Sequence, residues 1–293
     1  LMVMSEGISI AELTDLAANL GRKVSIEAPI RAAVIAGRPD KLVERLNRLA
    51  DSIEKKPLAD GQLFHETDQK TWIGNRVNRT RVGLLFPGQG SQKLNMARII
   101  VERYTWARKL VNEADQWLQE MGGDSIKAAF FCTPERANDS DEKRNWFHAL
   151  SETEVAQPAI CLTSVLWWQL LQRLGVTPAA VGGHSLGELT AFHTAGAYDI
   201  ADLLRFAGLR GRALKRSGSK PGAMVSLMCS QERLATILNQ VSGYAVLANI
   251  NSPRQMVLSG EQSAIESAIS IASQSDIQFQ RLTVSNDFHY KLA

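Results

Sequence analysis

The stretch Ala179-Ala180-Val181-Gly182-Gly183-His184-Ser185-Leu186-Gly187 carries an apolar run into a Gly-x-Ser-x-Gly pentapeptide, and a helix-like segment from Leu186 to Ala195 leaves it. Residues 179 to 183 read as a strand. Glycines on both sides of the serine permit the sharp strand-to-helix turn that pushes a hydroxyl outward, with a helix N-terminus behind it to face a developing oxyanion. Ser185 stands where a nucleophile belongs. A second glycine-rich turn, Phe86-Pro87-Gly88-Gln89-Gly90-Ser91-Gln92, follows another apolar run, Val82 to Leu85. Two such turns predict two strands that end at one cleft.

The 293 residues suffice for one large domain or two, and 45% hydrophobic with 22% charged residues is ordinary globular composition. Lys and Arg total 33 against 30 Asp and Glu, a near balance that argues against nucleic-acid binding. Cys132, Cys161 and Cys229 are far apart and lack metal-ligand spacing, so no metal is expected. They read as buried or inert thiols in a reducing cytoplasm. No apolar stretch approaches the roughly 20 residues that cross a bilayer, and Glu6 and Glu12 interrupt any signal-peptide pattern. No membrane role is expected. The start at Leu1 suggests a piece excised from something longer.

Residues 1 to 60 read as a small mixed unit: Leu1 to Met4 a short strand, Ile8 to Leu20 a helix, Ile30 to Ala36 a strand, and Pro39 to Ile53 an amphipathic helix with Leu42, Leu46, Leu49 and Ile53 on one face. Two such β-α units cannot bury both faces of a sheet, which predicts docking on a neighbour. Residues 54 to 80 are polar, end in the basic tract Asn75 to Arg81, and read as a linker. From Arg81 the chain alternates strand and helix, as a mainly parallel sheet with helices on both faces requires. Ser140 to Ala156 is charged and shows no placing pattern. A long helix is predicted from Gln157 through Trp167 and Trp168 to Leu174, and another from Ile200 to Arg216 that carries Arg205, Arg210, Arg212, Lys215 and Arg216. Residues 222 to 285 change rhythm: strand 223–228, helix 231–241, strands 244–250 and 255–259, helix 262–273, strand 277–284. That β-α-β-β-α-β order is ferredoxin-like.

A serine hydroxyl needs a base to be nucleophilic at neutral pH, and the chain has five histidines. His65 lies in the linker and His148 in the charged segment. His184 adjoins the nucleophile, but side chains on either side of such a turn point apart. His193 is eight residues along the helix from Ser185, about 12 Å at 1.5 Å per residue, too far for direct proton transfer. His289 follows the last strand of the ferredoxin-like segment, where the chain would re-enter the cleft, and is the base candidate by elimination.

Phe86 to Gln92, Gln157-Pro158-Ala159, Gly183 to Glu188, Leu209-Arg210-Gly211-Arg212, Asn251-Ser252-Pro253 and Phe288-His289 occur in the order and spacing of the acyltransferases of fatty-acid and polyketide synthases. Residues 81 to 293 thus resemble the malonyl-coenzyme A:acyl carrier protein transacylase family. The preceding unit, with Arg31-Ala32-Ala33-Val34-Ile35-Ala36-Gly37, resembles the α/β linker between ketosynthase and acyltransferase in type I polyketide synthases. The resemblance implies an α/β fold: a large hydrolase-like parallel-sheet subdomain with a small ferredoxin-like subdomain at about 222–285, preceded by the linker unit and linker over 1–80. The family continues well beyond the histidine, including the backbone carbonyl that orients its imidazole, so the resemblance implies that a C-terminal part of the domain is expected beyond this sequence.

By the same resemblance, Ser185 attacks an acyl-coenzyme A thioester with His289 as base, and the phosphopantetheine thiol of an acyl carrier protein then takes the acyl group. Leu186, through its backbone N–H, and Gln89 would hold the oxyanion. Arg210 matches the arginine that grips the malonyl carboxylate, a pairing suited to the guanidinium fork. Gln157 and Asn251 match polar positions near the site. Leu186 and Phe288 go with a malonyl rather than a branched unit, while Asp287 and Tyr290 depart from the small residues the family carries beside the base. The implied partners are the carrier protein and the neighbouring ketosynthase and other synthase domains; no cofactor is implied on this domain itself. Two alternatives remain at this level: an α/β-hydrolase-like thioesterase or esterase, which leaves Gln89 and Arg210 unexplained, and a non-catalytic docking module of a synthase.

Overall fold

A computed structural model describes residues 7–25, 27–55, 57–76, 81–127, 139–217 and 222–282. The chain divides into two compact units, Leu1–Arg81 and Val82–Ala293.

In the first unit, helix α1 (Ile10–Lys23) starts at a reciprocal cap: Ser9 Oγ accepts from the Glu12 N–H at 3.2 Å while the Glu12 carboxylate accepts from the Ser9 N–H at 2.8 Å. Strand β1 (Ile30–Val34) and helix α2 (Pro39–Lys55) follow, with Leu13, Leu42 and Leu49 buried. The predicted strand Leu1 to Met4 lies outside the described residues. The linker reading of residues 54 to 80 is corrected: β2 (Leu63–His65) and β3 (Thr71–Asn75) form an antiparallel hairpin, and β3 pairs antiparallel with β1, Ala33 opposite Trp72. Strands of three and five residues among polar neighbours are too short to show a period. Thr71 and Ile73 alternate inward on β3 all the same.

In the second unit, β4 (Val82–Phe86) and β5 (Pro178–Gly183) pair in parallel, with Phe86 opposite Gly183. Between them run α3 (Arg98–Arg103), α4 (Thr105–Glu120), α5 (Ser140–Ser151) and α6 (Thr153–Arg173). The segment that showed no pattern is therefore a helix. Asp139 caps it by accepting from the N–H groups of Asp141 and Glu142, and it buries only Leu150. Helix α6 begins four residues before the predicted start, and Pro158 sits inside it. A proline there lacks the N–H that would close the preceding turn, which is why a sequence reading favours starting the helix beside it. The dense packing of α6 outweighs that loss: Ala156, Ala159, Cys161, Leu162, Val165 and Leu166 are wholly buried. Helices α7 (Leu186–Thr194) and α8 (Ile200–Ser217) complete this part, their Leu186, Leu203 and Leu204 entering the same core.

The remainder is a four-stranded antiparallel sheet in the order β7-β8-β6-β9. Its strands are β6 (Gly222–Leu227), β7 (Ala245–Ser252), β8 (Gln255–Glu261) and β9 (Phe279–Leu282), joined by α9 (Gln231–Leu238) and α10 (Gln262–Gln274). This is the ferredoxin-like pattern read from the sequence, with its own core of Val225, Leu227, Leu258, Ile265 and Ile269. Among the described residues no helix is long and apolar enough to cross a membrane.

Candidate active site

The parallel pair β4–β5 delivers both glycine-rich turns to one end of its sheet. The His184 N–H donates to the Phe86 carbonyl at 3.0 Å, extending the ladder one residue past β5. There the backbone reverses. Ser185 has φ 53° and ψ −107°, a conformation L-residues avoid, and it caps α7. An ideal Cβ on Gly187 would stand 2.1 Å from the Phe86 carbonyl oxygen, so only glycine lets the first turn of α7 lie this close to the end of β4. The N–H groups of Gly187 and Glu188 fold back onto the carbonyls of His184 and Ser185, both at 3.0 Å. Among the described residues, the Leu186 N–H enters no hydrogen bond of this turn, nor does the Gln89 N–H in the turn opposite.

Arg210, on α8, directs Nη2 to 3.5 Å from Ser185 Oγ. Burial lowers the pKa of this half-buried guanidinium, and the proximity of Cys161 and Glu188 acts in the opposite direction. It remains a cation at neutral pH. Behind it, Cys161 is completely buried and its thiol is pushed up to about 12 by desolvation, which makes it a packing residue rather than a second nucleophile.

The Gln89 side chain is fixed on both sides. Its Nε2 donates to Thr153 Oγ1 at 3.3 Å, and its Oε1 accepts from Gln157 Nε2 at 3.1 Å. Gln157 is wholly buried. Asn251, at the end of β7, accepts through Oδ1 from His184 Nε2 at 3.1 Å, and the amide of Asn249 lies 3.4 Å from the same ring nitrogen. Gln157 thus holds the Gln89 side chain, and Asn251 holds the ring of His184, the residue before the serine. His184 turns away from Ser185 to β7, as the turn geometry predicts. His193 holds the Tyr198 carbonyl through Nδ1 at 2.9 Å. Phe288 and His289 lie outside the described residues. Among those residues no cluster of metal-ligating side chains occurs.

Sequence reasoning missed Thr153 and Asn249. Thr153 lies at the first position of α6, in the segment whose charge pattern hid a helix start. Asn249 lies two residues before the Asn251 motif on β7, and an asparagine outside the motif gives no signal of its own.

A strained serine at the start of a helix, with an arginine 3.5 Å from its hydroxyl, has the form of a serine acyl-transfer centre. Residues 84–292 match the family model described as the acyl transferase domain, and the chain belongs to that family. Among curated relatives, it is 32% identical over 215 residues to the PKS-NRPS hybrid synthetase ATPKS of Aspergillus niger, covering 72% of this chain and 11% of that protein. To the highly reducing polyketide synthase PKS2 of Leptosphaeria maculans it is 30% identical over 281 residues, covering 94% of this chain and 10% of the relative. The chain thus spans about a tenth of the length of these relatives. Among solved structures, the acyltransferase domain from the second module of the salinomycin polyketide synthase aligns with a TM-score of 0.70 at 26% identity, over 96% of this chain and 62% of that one. The malonyl CoA-acyl carrier protein transacylase of Clostridium perfringens aligns with a TM-score of 0.62 at 28% identity, over 73% and 64%.

Proposed function

We propose that this chain transfers a malonyl unit from coenzyme A to the phosphopantetheine thiol of an acyl carrier protein within a polyketide or fatty-acid synthase. The observation that carries the reading is the cation of Arg210 beside Ser185 Oγ, since a simple ester hydrolase has no need of a carboxylate partner there. In the first half-reaction Ser185 Oγ bonds to the thioester carbon as His289 takes the hydroxyl proton. The Leu186 and Gln89 amides hold the oxyanion, the C–S bond breaks, and the coenzyme A thiolate leaves with that proton. The second half-reaction is the reverse, with the carrier thiol as nucleophile and the serine ester opened. Residues 1–80 act in this reading as the α/β unit that joins the domain to a neighbouring ketosynthase, in a cytoplasmic assembly.

Incubation with malonyl-coenzyme A followed by intact-mass measurement should give a malonyl adduct that is absent in Ser185→Ala, and addition of a carrier protein should discharge it. No adduct on a folded chain would overturn the proposal. Release of free malonate without carrier transfer would turn it into a thioesterase.

A further inference from the structure

The turn at 88–92 and the arginine helix α8 converge on one short stretch, residues 151–157, where α5 ends and α6 begins. Gln92 Nε2 donates to Ser151 Oγ at 3.4 Å, Gln89 Nε2 to Thr153 Oγ1 at 3.3 Å, and Gln157 Nε2 to Gln89 Oε1 at 3.1 Å. From the other side, Lys215 of α8 pairs with Glu152 at 3.1 Å and also with Glu154. Gly211, beside Arg210, lets α8 press on the same backbone: an ideal Cβ there would stand 2.7 Å from the Thr153 carbonyl oxygen and 2.7 Å from Glu154 Cα. Gln157 offers Gln89 its amide N–H and Thr153 offers its hydroxyl oxygen, so both polar atoms of the Gln89 side chain have a partner. The Oε1 of Gln157, wholly buried, has no hydrogen-bond partner among the described residues. A buried acceptor left unpaired costs about 1–3 kcal/mol, a penalty that persists where the other end of the amide has a use.

We infer that Thr153 and Gln157 are positioning residues that hold Gln89 in the oxyanion turn, and that the start of α6 ties this turn to the helix bearing Arg210. The inference rests on the acyl-transfer reading of Ser185. Thr153 is wanted for its hydroxyl, so Ser suffices there and Val, of the same shape, does not.

The test measures the second-order rate at which a fluorophosphonate labels Ser185, together with the malonylation rate and its dependence on malonyl-coenzyme A concentration, in wild type, Thr153→Val, Thr153→Ser and Gln157→Leu. Thr153→Val and Gln157→Leu should slow both labelling reactions about 10- to 100-fold with the half-saturating malonyl-coenzyme A concentration changed less than about twofold, while Thr153→Ser stays within about threefold of wild type. Melting temperatures identify a variant that is merely unfolded, and the serine variant then carries the comparison through its partial rescue. Labelling by the fluorophosphonate at the wild-type rate in folded Thr153→Val or Gln157→Leu would overturn the inference, as would a wild-type serine inert to the probe. Slowed fluorophosphonate labelling with no malonylation in any form would sustain it and sink the malonyl assignment instead.

Discussion

Arg210 Nη2 lies 3.5 Å from Ser185 Oγ across 25 residues of sequence. The approach is set by helix packing, because α7 and α8 share a core with α6 and Gly211 allows α8 to seat closely. An acyl group on Ser185 that ends in a carboxylate would meet this fork directly. Charge-assisted bonds of that kind contribute about 1.5–3 kcal/mol, roughly 10- to 150-fold in a rate ratio. Arg210→Ala should therefore lower kcat/KM for malonyl-coenzyme A by that factor relative to acetyl-coenzyme A. An unchanged ratio would remove Arg210 from substrate selection.

The same arginine should weigh against the stability of the unliganded protein. Burial depresses its pKa below the ordinary arginine value, so the folded state holds this proton less firmly than the unfolded chain does. The sign follows: through this group, folding gains only as pH rises past the depressed value, and at neutral pH the charged side chain is a cost. Arg210→Met, which keeps an unbranched apolar stem and removes the charge, should melt no lower than wild type while losing malonyl selectivity. A clearly lower melting temperature would mean that the guanidinium makes structural bonds outweighing its desolvation.

Strain at Ser185 predicts a second stability ordering. At φ 53° an alanine is as unfavourable as serine, whereas glycine takes this conformation freely. Both variants should abolish acylation, as loss of the proposed nucleophile requires. Glycine also adds backbone entropy to the unfolded chain, about 0.5–1 kcal/mol against it, so the relief of strain must exceed that figure to appear. Ser185→Gly is expected to melt at or above Ser185→Ala. The reverse order would show that the turn is relaxed for any residue.

These features were legible in the sequence to different depths. The nucleophile turn and the β-α-β-β-α-β segment announce themselves, the first because glycine spacing at Gly183 and Gly187 is demanded by backbone contact, the second because each strand is flanked by clear turns. The helix Ser140–Ser151 and the hairpin at 63–75 did not. Both carry polar sequences whose placement comes from capping by Asp139 and from pairing with β1, neither of which leaves a periodic signature. Gln157 and Asn251 were found as polar positions, but that they grip Gln89 and His184 is a product of long-range packing. The distances spanned, 68 and 67 residues, lie beyond any local pattern.

The bond between His184 and Asn251 joins the nucleophile turn to the ferredoxin-like sheet, at 3.1 Å. Removing either partner should loosen the same link, so the two losses should not add. His184→Ala and Asn251→Ala are each expected to slow acylation, with the double variant little worse than the poorer single one, a coupling of about 0.5–1.5 kcal/mol. Measuring the acylation rates of all four forms closes the cycle. Strict additivity would show that the bond contributes nothing to the reaction.

Cys161 supplies the last test, since it lies behind the arginine and reports whether this core is as closed as its packing implies. The side chain is wholly buried, and desolvation pushes its thiol up to about 12 although the Thr190 hydroxyl and Arg210 favour the thiolate. Because the native state holds this proton more tightly than the unfolded chain, the associated stability is complete below the ordinary thiol pKa and is lost as pH rises through about 12. At pH 8 almost no thiolate exists and no reagent reaches it. Native protein treated with iodoacetamide at that pH should carry no label on the Cys161 peptide, and the same peptide should label fully in guanidinium chloride. Rapid native labelling would mean that the core between α6, α7 and α8 opens readily, and with it the seat on which Arg210 is held.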